Sequence, residues 1–114
     1  MSTESPQSFV IEFKDQELVN PIQLKKGDTL LIKLWGNMTT GYAWSLAAGP
    51  DNVLVQTGDV TYEKTSKLLG AGEWSVFTFS AETIGEAQLT FIYQRPFEPE
   101  NPPEKTIEVT VLVR

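Results

Sequence analysis

Histidine and cysteine are both absent from the chain, which removes most side-chain chemistry at once. No Ser-His or Cys-His nucleophile can be assembled, and no imidazole or thiolate is present to hold a metal. Gly70-Ala71-Gly72 has neither the spacing of a phosphate-cradling loop nor a helical pattern behind it. Carboxylates remain. Glu98, Glu100 and Glu104 gather around Asn101 among three prolines. Two acids alone can hydrolyse a glycoside, but only beside a substantial cleft, which a small β domain rarely offers. Calcium binding by the same acids lacks a recognised loop spacing. The cluster reads as a solvated loop, and the chain as a non-enzyme without metal or cofactor.

Binding groups displayed on loops are the remaining route to function. Three segments stand out. Gly36-Asn37-Met38-Thr39-Thr40-Gly41-Tyr42 combines turn-forming Asn and Gly with two stiff threonines, ordinary turn chemistry when taken alone. Leu68-Leu69-Gly70-Ala71-Gly72-Glu73 places two leucines beside two glycines, so the leucines either tuck into the domain or form a patch for a partner. Arg95-Pro96-Phe97 joins a fixed φ to an Arg and an aromatic, residue types enriched at interface hot spots.

The elements that must carry these segments are strands. Apolar residues alternate with polar ones along most of the chain, and nowhere recur at helical spacing for three turns. Leu30, Ile32 and Leu34 share one face; so do Leu89, Phe91 and Tyr93, and then Ile107, Val109, Val111 and Val113. Strands A to G are expected at 8–14 (with a continuation at 20–24), 29–35, 42–47, 53–64, 74–81, 87–94 and 106–113. About seven short strands at this spacing predict a two-sheet sandwich. Treating 53–64 as one bulged strand puts the B–C, D–E and F–G loops at one end. A separate hairpin there would move the D–E loop to the other end. Trp44 falls on the apolar face and is expected in the core, while Trp35 lies off the face of Leu34 and is expected to be partly exposed. Trp74, next to the Gly-rich segment, is open to either a core or an interface role.

With 114 residues the chain fits one domain with a genuine core, residues 1–7 forming a flexible start and 8–114 the domain. The net charge of −6 disfavours nucleic acid, and no apolar run could span a membrane. Met1 to Ser8 lacks the pattern of a secretory signal. Asn37-Met38-Thr39 is a formal glycosylation acceptor, and a glycan there would cover the B–C loop. Together with the missing cysteines, this favours a cytoplasmic location.

The order Asn-x-Thr-Thr-Gly-Tyr, Gly-x-Gly, Arg-Pro-aromatic resembles the chagasin family of cysteine protease inhibitors. The resemblance runs through nearly the whole domain, including Lys25-Lys26-Gly27-Asp28-Thr29-Leu30 and Gly41-Tyr42-Ala43-Trp44. It implies an all-β, immunoglobulin-like Greek-key sandwich whose three loops plug the cleft of papain-like, cathepsin-like proteases reversibly and tightly, as a monomer. The protease-binding residues it implies are Asn37, Met38, Thr39, Thr40, Gly41 and Tyr42, then Leu69, Gly70, Ala71 and Gly72, then Arg95, Pro96 and Phe97. Met38 stands where the family usually has Pro, Glu73 where it has a further Gly, and Phe97 where it has Trp. The competing readings are an immunoglobulin-like adhesion or carbohydrate-binding module using exposed tryptophans, and a structural subunit joined through free sheet edges.

Overall fold

Wherever the sequence alternates, one face of a strand turns inward and its neighbours stay in solvent. The computed structural model describes residues 6–13, 21–37, 41–49, 52–64, 72–98 and 100–114. Among the described residues there are nine strands rather than the expected seven: β1 (Ser8–Phe13), β2 (Ile22–Leu24), β3 (Thr29–Gly36), β4 (Ala43–Ala48), β5 (Leu54–Gln56), β6 (Thr61–Lys64), β7 (Glu73–Ala81), β8 (Gly85–Gln94) and β9 (Lys105–Val113). The surplus arises because expected strands A and D each divide in two.

The first division changes sheets. β1 pairs parallel with β3 in one sheet, and β2 pairs parallel with β9 in the other. The second stays on one edge. β5 and β6 both run antiparallel to β7, with Gln56 opposite Phe79 and Thr61 opposite Val76. Residues 57–60 therefore face only residues 77 and 78, a local surplus of the kind that bulges a strand. The edge keeps its direction across this break, so the connection into β7 leaves at the end expected for a single bulged strand. One sheet has the order β1-β3-β7 with β5 and β6 sharing the far edge of β7; the other has β2-β9-β8-β4.

Between the sheets lie Leu30, Ile32, Leu34, Phe77 and Phe79 from one side, and Leu89, Phe91, Ile107, Val109 and Val111 from the other, all buried. Phe77 meets Phe91 edge-on at 5.0 Å between centroids. Burial of each such side chain stabilises the fold by roughly 1.5–3 kcal/mol. At the end where β3 begins, the Asp28 carboxylate accepts the backbone N–H groups of Gln7 (3.0 Å) and Lys25 (2.8 Å) while only 5% exposed. This explains the Lys-x-Gly-Asp segment: Gly27 takes φ +99° and Asp28 locks the turn it makes.

Candidate functional site

At the other end, the registers bring the three loops together. Gly36, the last residue of β3, lies opposite Glu73, which in turn lies opposite Lys64. The B–C loop therefore leaves beside both ends of the D–E loop. Ala43, where β4 begins, lies opposite Gln94, where the F–G loop starts. Two contacts between sheets close this end. The Tyr93 hydroxyl donates to the Asn37 carbonyl (3.0 Å) and accepts from its N–H (3.1 Å), and Trp44 Nε1 donates to the Trp35 carbonyl (2.9 Å). Gly36 sits between the two rings. A Cβ there would fall 2.8 Å from Tyr93 Cε1 and 3.1 Å from Trp44 Nε1, so only glycine fits without movement.

The B–C and F–G loops are joined by Tyr42. Its ring stacks on Tyr93 at 5.2 Å, and the Arg95 guanidinium lies 4.7 Å from the centre of the Tyr42 ring. Its hydroxyl bonds to Glu104, and that carboxylate, aided by partial burial and opposed by Arg95, holds the phenol above its ordinary value. Arg95 also pairs with Glu98 at 3.3 Å, and Glu98 accepts Asn101 Nδ2 at 2.7 Å. Backbone bonds from Glu98 to the Arg95 carbonyl and from Asn101 to the Glu98 carbonyl make this segment two linked turns. Glu98 and Glu104 thus brace the loop from its rim. The sequence reading treats them only as solvated acids. Their partners are set by the path of the loop, and no spacing rule reveals them.

Phe97 projects from these turns and is 68% exposed, the most exposed large hydrophobic among the described residues. Its ring edge rests on Gly41, which has φ +87°; a Cβ on Gly41 would approach Phe97 Cε1 to 3.1 Å. Of the residues implied by the family resemblance, Asn37, Gly41, Tyr42, Gly72, Arg95, Pro96 and Phe97 stand at this one end. Met38, Thr39, Thr40, Leu69, Gly70 and Ala71 lie outside the described residues. Trp44 is buried at 5% exposure, as expected of a core residue. Trp35 and Trp74 are half-buried on the outer face of the five-stranded sheet, with centroids 5.0 Å apart. No group of three or more potential metal-ligating side chains occurs among the described residues.

The sequence model of the chagasin family peptidase inhibitor I42 matches residues 23–111. Chagasin of Trypanosoma cruzi is 31% identical over 75 residues, covering 62% of this chain and 68% of chagasin. Amoebiasin-1 of Entamoeba histolytica is 28% identical over 95 residues, covering 82% of this chain and 89% of that protein. In fold, the chain is similar to the cysteine protease inhibitor EhICP2 of Entamoeba histolytica, with a TM-score of 0.77 at 20% identity over 94% of this chain and 97% of the other. PbICP-C, whose structure is of a complex with falcipain-2, has a TM-score of 0.61 at 22% identity over 100% of this chain and 95% of the other.

Proposed function

The chain belongs to the chagasin family of peptidase inhibitors, and from that premise we propose that it inhibits papain-like cysteine proteases, cathepsin-like enzymes among them, by occupying the active-site cleft with its three loops. The observation that carries this reading is the shared exit of the B–C, D–E and F–G loops at one end of the sandwich, with Phe97 exposed beside them. PbICP-C, a relative in fold, is described in complex with a protease, falcipain-2.

In this mechanism Asn37 to Gly41 enter the cleft and cover the protease's catalytic residues. Leu69 to Gly72 run along one wall, and Arg95, Pro96 and Phe97 hold the other. Phe97 supplies a flat apolar contact, and aromatic pairing there adds about 0.5–1.5 kcal/mol beyond area burial. Arg95 acts largely from within, since its guanidinium lies over Tyr42 and against Glu98. The Tyr93 clamp on Asn37 and the Gly41–Phe97 contact fix the loop roots before binding, which spares the ordering entropy that a soft loop would lose. Inhibition in this reading is reversible occupation of the cleft, as the family resemblance implies. A monomer acting in the cytoplasm fits the absence of cysteine and the acceptor sequence at Asn37, where a glycan would block entry.

Titration of papain against increasing protein tests the proposal. Activity should fall in proportion to added inhibitor and vanish near equimolar protein. Unchanged turnover at micromolar protein would overturn it.

A further inference from the structure

Two tryptophans on the outer face of a small sandwich call for an explanation, because the inter-sheet core does not use them. Trp35 and Trp74 face each other in register, in the last pair before Gly36 and Glu73 lead into the B–C and D–E loops. Their rings meet edge to face, at 67° between planes. Beside them, Lys33 pairs with Glu63 at 2.8 Å, and Glu63 lies opposite Trp74 in β6. By register, this ion pair shares the outer face of the sheet with the Trp35–Trp74 pair.

Against the Nε1–Cε2–Cζ2 side of the Trp35 indole lies Gly72, the residue that brings the D–E loop back to β7. A Cβ on Gly72 would stand 2.5 Å from Trp35 Cε2 and 2.8 Å from Nε1, inside the distance that Cβ atoms keep from their neighbours. The φ of Gly72 lies outside the left-handed region. Its backbone would therefore accept alanine, and the demand for glycine is spatial and comes from Trp35. The Trp35 carbonyl meanwhile accepts Trp44 Nε1 from the opposite sheet. One residue thus ties the returning D–E loop to the aromatic plug beneath the other two loops.

We propose that Trp35 is a positioning residue for the D–E arm of the inhibitory edge, and that glycine at position 72 serves Trp35 rather than the protease backbone. This rests on the inhibitor reading above. It assigns the Gly-x-Gly segment a divided role: its last glycine is a seat for the protein's own indole, and that seat sets the height at which the preceding residues meet the target.

A double-mutant cycle tests the assignment: wild type, Gly72→Ala, Trp35→Leu and the double variant, each with Ki for papain measured on the folded fraction counted by titration and with its melting temperature. Gly72→Ala should raise Ki about tenfold or more by displacing the indole, and Trp35→Leu about tenfold by unseating the arm. The double variant should be no weaker than Trp35→Leu alone, because the vacated indole space accepts the new methyl group. A purely structural role would lower the melting temperatures and leave Ki of the folded fraction unchanged, which would overturn the proposal. Losses that multiply in the double variant would also overturn it, and would place Gly72 against the protease. Should Trp35→Leu not fold, Trp35→Phe takes its place in the same cycle. Wild-type protein without effect on papain would sink the inhibitor reading itself, whereas inhibition by wild type with multiplying losses sinks the positioning role alone.

Discussion

Tyr42 carries more of the site than its place at the end of a turn motif suggests. It stacks on Tyr93, lies under Arg95 and bonds to Glu104, so the residue leaving the B–C loop is also the floor of the F–G loop. Its phenol is raised above the ordinary 10.0, chiefly because the neutral hydroxyl donates to the Glu104 carboxylate and ionisation would give that bond up. A raised folded pKa means that the folded state keeps a proton which the unfolded state has lost. Stability therefore falls as pH climbs through and beyond 10. Lys33 works in the same direction: its bond to Glu63 raises it above 10.5, so its stabilising contribution is present below that value and is lost in stronger alkali. Urea midpoints between about pH 9 and 11 should decline, and Tyr42→Phe should make the decline shallower. An unchanged slope in that variant would show that the Tyr42–Glu104 bond does not contribute. The family resemblance marks Tyr42 as a contact residue, and its motif was legible. Glu104 was not, because it reaches Tyr42 only after the F–G loop has turned twice.

Among the elements, legibility follows one-sided burial. β3, β8 and β9 each bury alternate residues against the opposite sheet, and their period of two is plain in the letters. β1 and β2 alternate as clearly, but alternation says which face is buried and not which sheet supplies the partner. Their division between sheets is set by parallel pairing to β3 and β9, a long-range choice that no local pattern records. β6 is exposed at all four positions and buries nothing, so its break from β5 left only the weak signal of Thr57-Gly58-Asp59. The turn into β3 offers an element-scale test. Asp28→Ala would strip the acceptor from the Gln7 and Lys25 N–H groups at the pole away from the loops. It should cost about 1–3 kcal/mol in urea denaturation. Papain inhibition by the folded protein should be unchanged, because β3 runs its full length between that turn and the B–C loop. Loss of both together would mean that the loop end cannot hold its shape without the far turn.

At the scale of the molecule, one small residue sits where everything meets. The loops are rooted in both sheets, so a stiff edge requires the sheets to be fixed to each other at that end. Trp44 and Tyr93 do this from one sheet, by bonds to the Trp35 and Asn37 backbones of the other. Both rings close over Gly36, which has no room for a side chain. Gly36→Ala must push the Tyr93 ring away, and with it the hydroxyl that holds Asn37. Overpacking of this kind typically costs about 1–3 kcal/mol, so thermal unfolding should show a lower midpoint. Inhibition should weaken as well, since the B–C root loses its clamp. Tyr93→Phe separates the two effects: it keeps the ring over Gly36 and removes only the hydroxyl. That variant should lose about 1–3 kcal/mol of stability, the net worth of the two hydrogen bonds its hydroxyl makes to Asn37, and should also raise Ki for papain. If Tyr93→Phe inhibited as well as wild type while Gly36→Ala did not, the damage would lie in the separation of the sheets. If both raised Ki, the inhibitory edge would depend on the Asn37 clamp itself, and the sandwich would act as a frame that holds one loop root still.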